Sequence, residues 1–247
     1  MGLIFSGSRN TDNGKIVKIP HATAILATTA DGKISDVRRS PARFGSKADR
    51  EHLERQIAAV DGVLFGRGTL QAYQTTLPLS DRQLLQQRRD ANKPPQPVHA
   101  VCSHSGDLDS QWRFFQQPIP RWLLTSVEGA KRWQGSLDFD RVIVLEAGDR
   151  WRAAFQYLYR LGWHRVAVLG GGELVAALLA EDLIAEFWLT ICPLMVGGKD
   201  APGVVGGTGF SLRSPKALRL LSAEAIGEEI FLHYALNPST EQLIVDS

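Results

Sequence analysis

Short apolar runs separated by stretches of helical spacing constrain this chain more than any other feature. Ala22–Thr28 is a compact apolar run that stops at Asp31-Gly32, the pattern of a buried strand followed by a tight turn. Ser46 and Asp49 form a capping signal, and Leu53, Ile57 and Val60 then recur at helical spacing, which predicts a helix over 46–59. Val63-Leu64-Phe65 predicts a second strand that delivers Gly66-Arg67-Gly68-Thr69 as a glycine loop. Ser80 and Gln83 make a further capping box ahead of Leu84 and Leu85, and Pro94, Pro95 and Pro97 close that helix. Strand-like runs follow at Val98–Cys102, Trp122–Thr125 and Val142–Leu145, with helices over 127–133 and 150–161, the second begun by Asp149 and stopped by Gly162. Val166–Leu169 then runs directly into Gly170-Gly171-Gly172-Glu173 and the helix formers Leu174–Ala180. Phe187–Val196 reads as a strand buried on both faces, although Pro193 demands an end, an edge or a bulge, and Ile230–Leu236 reads as a last strand. With no repeat and no low-complexity linker, this alternation predicts an α/β fold, a three-layer sandwich around a central, mostly parallel mixed sheet. The expected organisation is a flexible arm over 1–18, a single domain over 19–236 and a tail over 237–247.

Composition narrows the function classes. The chain holds 28 Lys and Arg against 26 Asp and Glu, spread along its length, so it lacks an electrostatic footprint for nucleic acid and any anion site must be local. Cys102 and Cys192 are its only cysteines and form no CxxC pair, which argues against a disulfide framework or a structural zinc site and fits a reducing cytoplasm. The six histidines show no metal-ligand spacing, and no metal is expected; His52 and His164 read as structural or surface groups. The start of the chain lacks the apolar core of a signal peptide and no apolar run reaches membrane-spanning length, so a soluble, unanchored protein is expected. Trp112, Trp122 and Trp133 read as packing groups rather than a stacking platform.

Two glycine segments carry the chemical signal. A helix N-terminus offers unpaired N–H groups and a positive partial charge, and glycines let a phosphate approach the backbone; Gly170–Gly172 meets both conditions. Its spacing is neither GxGxxG nor GxxxxGK[ST], and a tight turn that needs positive φ is the competing reading. Gly66-Arg67-Gly68-Thr69 follows a predicted strand, and ligands of open α/β sheets sit at the carboxyl ends of strands. Arg67 there is either a bidentate phosphate holder or a solvent-exposed cation.

Taken in order, Thr29-Ala30-Asp31-Gly32-Lys33-Ile34, Phe65-Gly66-Arg67-Gly68-Thr69, Leu169-Gly170-Gly171-Gly172-Glu173-Leu174 and Ile191-Cys192-Pro193-Leu194-Met195-Val196-Gly197-Gly198 resemble the C-terminal reductase domain of the bacterial riboflavin-biosynthesis deaminase-reductase, in the dihydrofolate-reductase-like superfamily. The resemblance runs from about Ile19 to Leu236. It implies a dihydrofolate-reductase-like sandwich, NADPH as cofactor, a homodimer, and reduction of 5-amino-6-(5-phosphoribosylamino)uracil to the ribitylamino product by hydride transfer to the sugar C1′ of an open-chain imine. Position by position, it places the cofactor pyrophosphate on Gly170, Gly171, Gly172 and Glu173 and the adenosine side on Gly66, Arg67, Gly68 and Thr69. Arg67 resembles the Arg of the GRxT segment that meets the 2′-phosphate. Asp31 is the candidate for proton delivery, with a turn role as the competing reading, and Thr29, Lys33, Arg43 and Ser46 are the candidate substrate contacts.

The chain also departs from the family. An Asp-Asp-Pro segment that helps to bind substrate is replaced by Leu70-Gln71-Ala72-Tyr73-Gln74-Thr75-Thr76, and Arg38, Arg39, Arg43 and Lys47 are the alternative receivers of a substrate phosphate. His21-Ala22 is not followed by Glu and no PCxxC occurs, so a reductase without the deaminase half is expected. Two other readings stand beside this one. A pterin-type reductase would use a carboxylate on the first helix, where Asp49 and Glu51 lie, and a nucleotide-binding relative would keep the loops without catalysis.

Overall fold

The computed structural model describes residues 18–145 and 150–236. The tail, the arm apart from Lys18, and the helix-starting Asp149 lie outside the described residues. In chain order the elements are β1 (His21–Thr29), α1 (Lys47–Ala59), β2 (Gly62–Gly66), α2 (Arg67–Tyr73), α3 (Arg82–Asp90), β3 (Val98–Cys102), α4 (Arg113–Gln116), β4 (Arg121–Thr125), α5 (Val127–Arg132), β5 (Arg141–Val144), α6 (Arg150–Arg160), β6 (Arg165–Val168), α7 (Gly172–Ala180), β7 (Glu186–Cys192), β8 (Leu218–Ile226) and β9 (Glu229–Leu236). The α/β alternation expected from the sequence is present. So is the mixed, mostly parallel pairing: β1–β7, β2–β3, β3–β4 and β4–β5 are parallel, and β7–β9 and β8–β9 are antiparallel.

The described residues divide into two compact units, each made of two segments: those before Ala22 with those of Leu53–Ala167, and Ala22–His52 with those of 168–236. In the first unit the strand order is β5-β4-β3-β2-β6. Val63, Leu64, Ala100, Val101 and Leu123 are fully buried, because a parallel strand covered on both faces has no polar face to show. Phe114, Phe115, Trp133 and Phe139 close into an aromatic cluster in which Phe115 and Trp133 stack with centroids 5.4 Å apart. Trp122 stacks on Trp163 at 5.0 Å, and Trp163 lies over Gly62, where a Cβ would come within 2.3 Å of its ring. These tryptophans pack, as expected for Trp122 and Trp133.

In the second unit the order is β1-β7-β9-β8. Leu174, Val175, Leu178 and Leu179 are the buried face of α7. His52 packs edge-on to Trp188 at 4.5 Å, and Trp188 stacks on His233 at 4.0 Å, so His52 serves packing.

Several expectations need correction. The strand read as Phe187–Val196 ends at Cys192, one residue before Pro193, because proline has no N–H for the ladder; Leu194, Met195 and Val196 are exposed beyond it. The strand β8 carries no alternation and its residues are almost all exposed, so periodicity gave no signal. Gly66-Arg67-Gly68-Thr69 is not an open loop: Gly66 is the N-cap and Arg67 begins α2. The cap of α3 is Asp81, whose carboxylate accepts from the Gln83 and Leu84 amides, while the Ser80 amide and hydroxyl donate to Glu54. The short helix α4 also went unforeseen.

Candidate active site

In the second unit, β1 ends in a turn that closes on itself. The Thr29 amide donates to the Lys33 carbonyl at 2.9 Å and the Gly32 amide to the Thr29 carbonyl at 2.9 Å, with Gly32 at a φ of 80°. The buried Thr29 hydroxyl donates to Asp31 Oδ1 at 2.6 Å and accepts from the Lys33 amide at 2.9 Å. Asp31 then reaches across the chain: Oδ1 accepts from the Val196 amide at 3.1 Å and Oδ2 from the Gly197 amide at 2.7 Å. The Thr29 hydroxyl first, and then these two amides, hold its carboxyl down at about 2. At neutral pH Asp31 carries no proton to deliver.

The segment after β7 is thereby fastened to the turn, and other contacts extend the fastening. Lys33 Nζ donates to the Ala201 carbonyl at 3.1 Å, and Lys33 forms an antiparallel bridge with Gly203. Gly203 in turn lies against the start of α7, since a Cβ on Gly172 would stand 2.6 Å from the Gly203 carbonyl oxygen. The Gly206 amide donates to the Gly172 carbonyl at 3.0 Å. Residues 194–206 therefore join the Asp31 turn to the glycine segment at α7. Sequence reading singled out both ends and, in Ile191–Gly198, the first part of the connector; it gave no role to residues 199–206, whose signal was their continued glycine density at Gly203 and Gly206.

At the start of α7, Gly171 is the N-cap with extended backbone and supplies no side-chain cap. No side chain caps this nine-residue helix, whose dipole leaves its terminus positive, while the Leu174 amide donates to the Gly171 carbonyl at 3.0 Å. Gly170 has a φ of 90°, which meets the turn reading at that residue, and the Gly170–Gly171 peptide is cis. Glu173, in the first turn, lies beside Gly206 and Gly207.

Also in the second unit, the buried Glu229 lies near the half-buried Asp49. Ser46 donates through its amide to Glu229 Oε1 at 2.7 Å and through its hydroxyl to Oε2 at 2.5 Å, while the hydroxyl accepts from the Asp49 amide at 3.2 Å. Burial, and secondarily the charge of Glu229, raise the Asp49 carboxyl against a stabilising hydrogen bond from Thr190. Burial beside Glu229 pushes the Cys192 thiol up to about 12. Of the candidate substrate residues, Thr29, Lys33 and Ser46 are engaged within the protein, whereas Arg43 is exposed and pairs with no other described residue.

In the first unit, Arg67 is not free. Its Nε donates to the Asp107 carbonyl at 2.8 Å and Nη2 to Asp107 Oδ2 at 2.9 Å. Gly68 has open space around its absent Cβ. Among the described residues no group of His, Cys, Asp and Glu could hold a metal ion, and no helix is long and apolar enough to cross a membrane.

The model of the RibD C-terminal domain family matches residues 20–232. This chain belongs to that family. As a RibD C-terminal domain protein it is 27% identical to the 2,5-diamino-6-ribosylamino-4(3H)-pyrimidinone 5′-phosphate reductase of Archaeoglobus fulgidus, over 85% of this chain and 94% of that one. It is 26% identical to the riboflavin biosynthesis protein RibD of Actinobacillus pleuropneumoniae, over 89% of this chain and 57% of that one. A pyrimidine reductase-like protein from Corynebacterium diphtheriae shares its fold, with a TM-score of 0.76 at 18% identity over 89% and 93% of the two chains. Within the RibD C-terminal domain fold, the stretch that replaces Asp-Asp-Pro forms the end of α2 and the turn after it. There Thr75 and the Thr76 amide donate to Gln117 Oε1, both at 3.1 Å, so these residues brace the turn.

Proposed function

We propose that this chain is a nicotinamide-dependent reductase of riboflavin biosynthesis, working in the cytoplasm on a phosphorylated ribosylaminopyrimidine, with NADPH as hydride donor and 5-amino-6-(5-phosphoribosylamino)uracil as substrate. The observation that carries this reading is the uncapped start of α7 joined through Gly203 and Gly206 to the Asp31 turn, in a chain whose relatives are named as pyrimidine reductases. Gly170, Gly171, Gly172 and Glu173 would hold the pyrophosphate, and Gly66, Arg67, Gly68 and Thr69 the adenosine side. The cofactor, when bound, supplies a hydride to C1′ of the open-chain imine, and the imine nitrogen takes a proton as the bond's electron pair moves to it. Asp31, ionised, holds the Val196 and Gly197 amides in place and so positions the 194–206 segment. Arg43 is our assignment for the substrate phosphate, to which it offers a charge-assisted, bidentate contact.

NADPH oxidation is the test, run against the uracil substrate, its 2,5-diamino counterpart, dihydrofolate and no substrate. Oxidation with a ribosylaminopyrimidine phosphate is expected, and oxidation with neither overturns the reading. One observation keeps a pterin-type reductase as a second reading: Asp49, in the first turn of the first helix, is a half-buried carboxyl whose pKa is raised by desolvation. Turnover of dihydrofolate alone would select it. We also propose a homodimer through β7 and β9, on which Ile230 is exposed. Sedimentation as a 27.2 kDa monomer at micromolar concentration would remove it.

A further inference from the structure

Asp107 occupies Arg67 through two contacts of different kinds, a backbone carbonyl on Nε and a carboxylate on Nη2. The loop that carries Asp107 is fixed from several sides. The Asp107 amide donates to Ser105 Oγ at 3.2 Å, and the Gly106 amide donates to Ser103 Oγ at 3.1 Å. The Gly106 carbonyl accepts from Trp133 Nε1 at 2.7 Å, and a Cβ on Gly106 would lie 2.5 Å from the Gly129 carbonyl oxygen. The His104 carbonyl accepts from the Ser126 hydroxyl at 2.8 Å and from the Thr125 hydroxyl at 3.2 Å. A loop so braced presents Asp107 to whatever Arg67 meets.

We propose that Asp107 sets the cofactor discrimination of this chain by competing with a 2′-phosphate for Arg67. The proposal rests on the reading that Arg67 lies on the adenosine side of the cofactor. Arg67 keeps its Nη1 donors for a second anion, so a phosphate can still bind, but it arrives beside the Asp107 charge and shares the guanidinium with it. An unphosphorylated ribose 2′-hydroxyl meets no such repulsion and can donate to the Asp107 carboxylate. Asp107 therefore narrows the preference for NADPH over NADH that Arg67 alone would create. A purely structural role for the ion pair is a poor account of Asp107, because both side chains are well exposed, 39% and 62%, and such pairs add little to stability.

The adenosine end can be tested alone by calorimetric titration with 2′,5′-ADP and 5′-AMP, alongside NADPH and NADH. Asp107→Asn keeps a group that can accept from Arg67 and removes the charge. It is expected to tighten 2′,5′-ADP and NADPH by about tenfold and to leave 5′-AMP and NADH no tighter. Arg67→Ala is expected to erase the preference for 2′,5′-ADP over 5′-AMP. If Arg67→Ala has its effect but Asp107→Asn leaves 2′,5′-ADP unchanged or weaker, the competition is overturned while the placement of Arg67 stands. If Arg67→Ala leaves the preference intact, the placement itself falls and the competition falls with it.

Discussion

The helices α2 and α7 each follow a strand and have a glycine at the N-cap, yet the glycines of their first turns are there for different reasons. At α7, Gly172 is required by a neighbour: the Gly203 carbonyl comes so close that a Cβ has no room. At α2, Gly68 has nothing within 4 Å of where its Cβ would stand and no positive φ is recorded for it. The first glycine is explained by packing within the protein. The second has no such internal neighbour, and a ligand approaching the start of α2 is the cause we propose for it. Two similar sequence signals thus ask for different experiments.

The largest effect is expected from Gly171→Val. Gly171 has a φ of −75°, open to any residue, so the backbone tolerates valine while its branched side chain covers the amides at the α7 terminus. Cofactor binding by calorimetry should be lost with the circular dichroism unchanged; normal binding would make α7 a packing feature only. Gly172→Ala should act the other way, on the fold, by forcing the Gly203 carbonyl aside. A loss of about 1–3 kcal/mol in urea unfolding is expected. Asp31→Asn tests the fastening of the connector at acid pH. The folded pKa, about 2, lies below the ordinary 3.8, so the wild-type contribution is fully present above pH 4 and fades as pH falls toward 2. The variant should lack that fading, as read by hydrogen exchange of the Val196 and Gly197 amides between pH 4 and pH 2. The smallest effect belongs to Gly68→Ala, a gain of up to about 0.5–1 kcal/mol in thermal unfolding. Weaker cofactor binding by the same variant would place the ligand against α2, and unaltered binding would mean that Gly68 has neither an internal nor an external cause.

Strands with a continuous apolar run were legible because burial on both faces leaves a compositional mark. Val98–Cys102 was read to the residue, and Ala22–Thr28 within one residue at each end. The strand β8 was not legible, since an exposed strand leaves no alternation to count. The partition into two units was hidden for a different reason: each unit is discontinuous in sequence, so no linker composition marks a boundary. At the site, the glycine segments and the Asp31 turn were visible as residues. The partner of each was not. Asp31 meets Val196 and Gly197 from 165 and 166 positions away, and Arg67 meets Asp107 from 40 positions away. Such pairings follow from the strand order, which residue spacing does not contain. Ser46 shows the same limit, for it was read correctly as a capping residue but its second task, closing over Glu229, depends on β9.

The buried setting of Cys192 has a practical side. A thiol reacts as its thiolate, and the protein suppresses that form at both of its cysteines, with Cys102 and Cys192 each pushed up to about 12. Alkylating reagents and mild oxidants at neutral pH therefore find no ready native target in this chain. A single cysteine introduced at Met195, which is 83% exposed on the segment fastened by Asp31, would be the one reactive thiol, and a dye placed there would report on that segment without any native cysteine having to be removed.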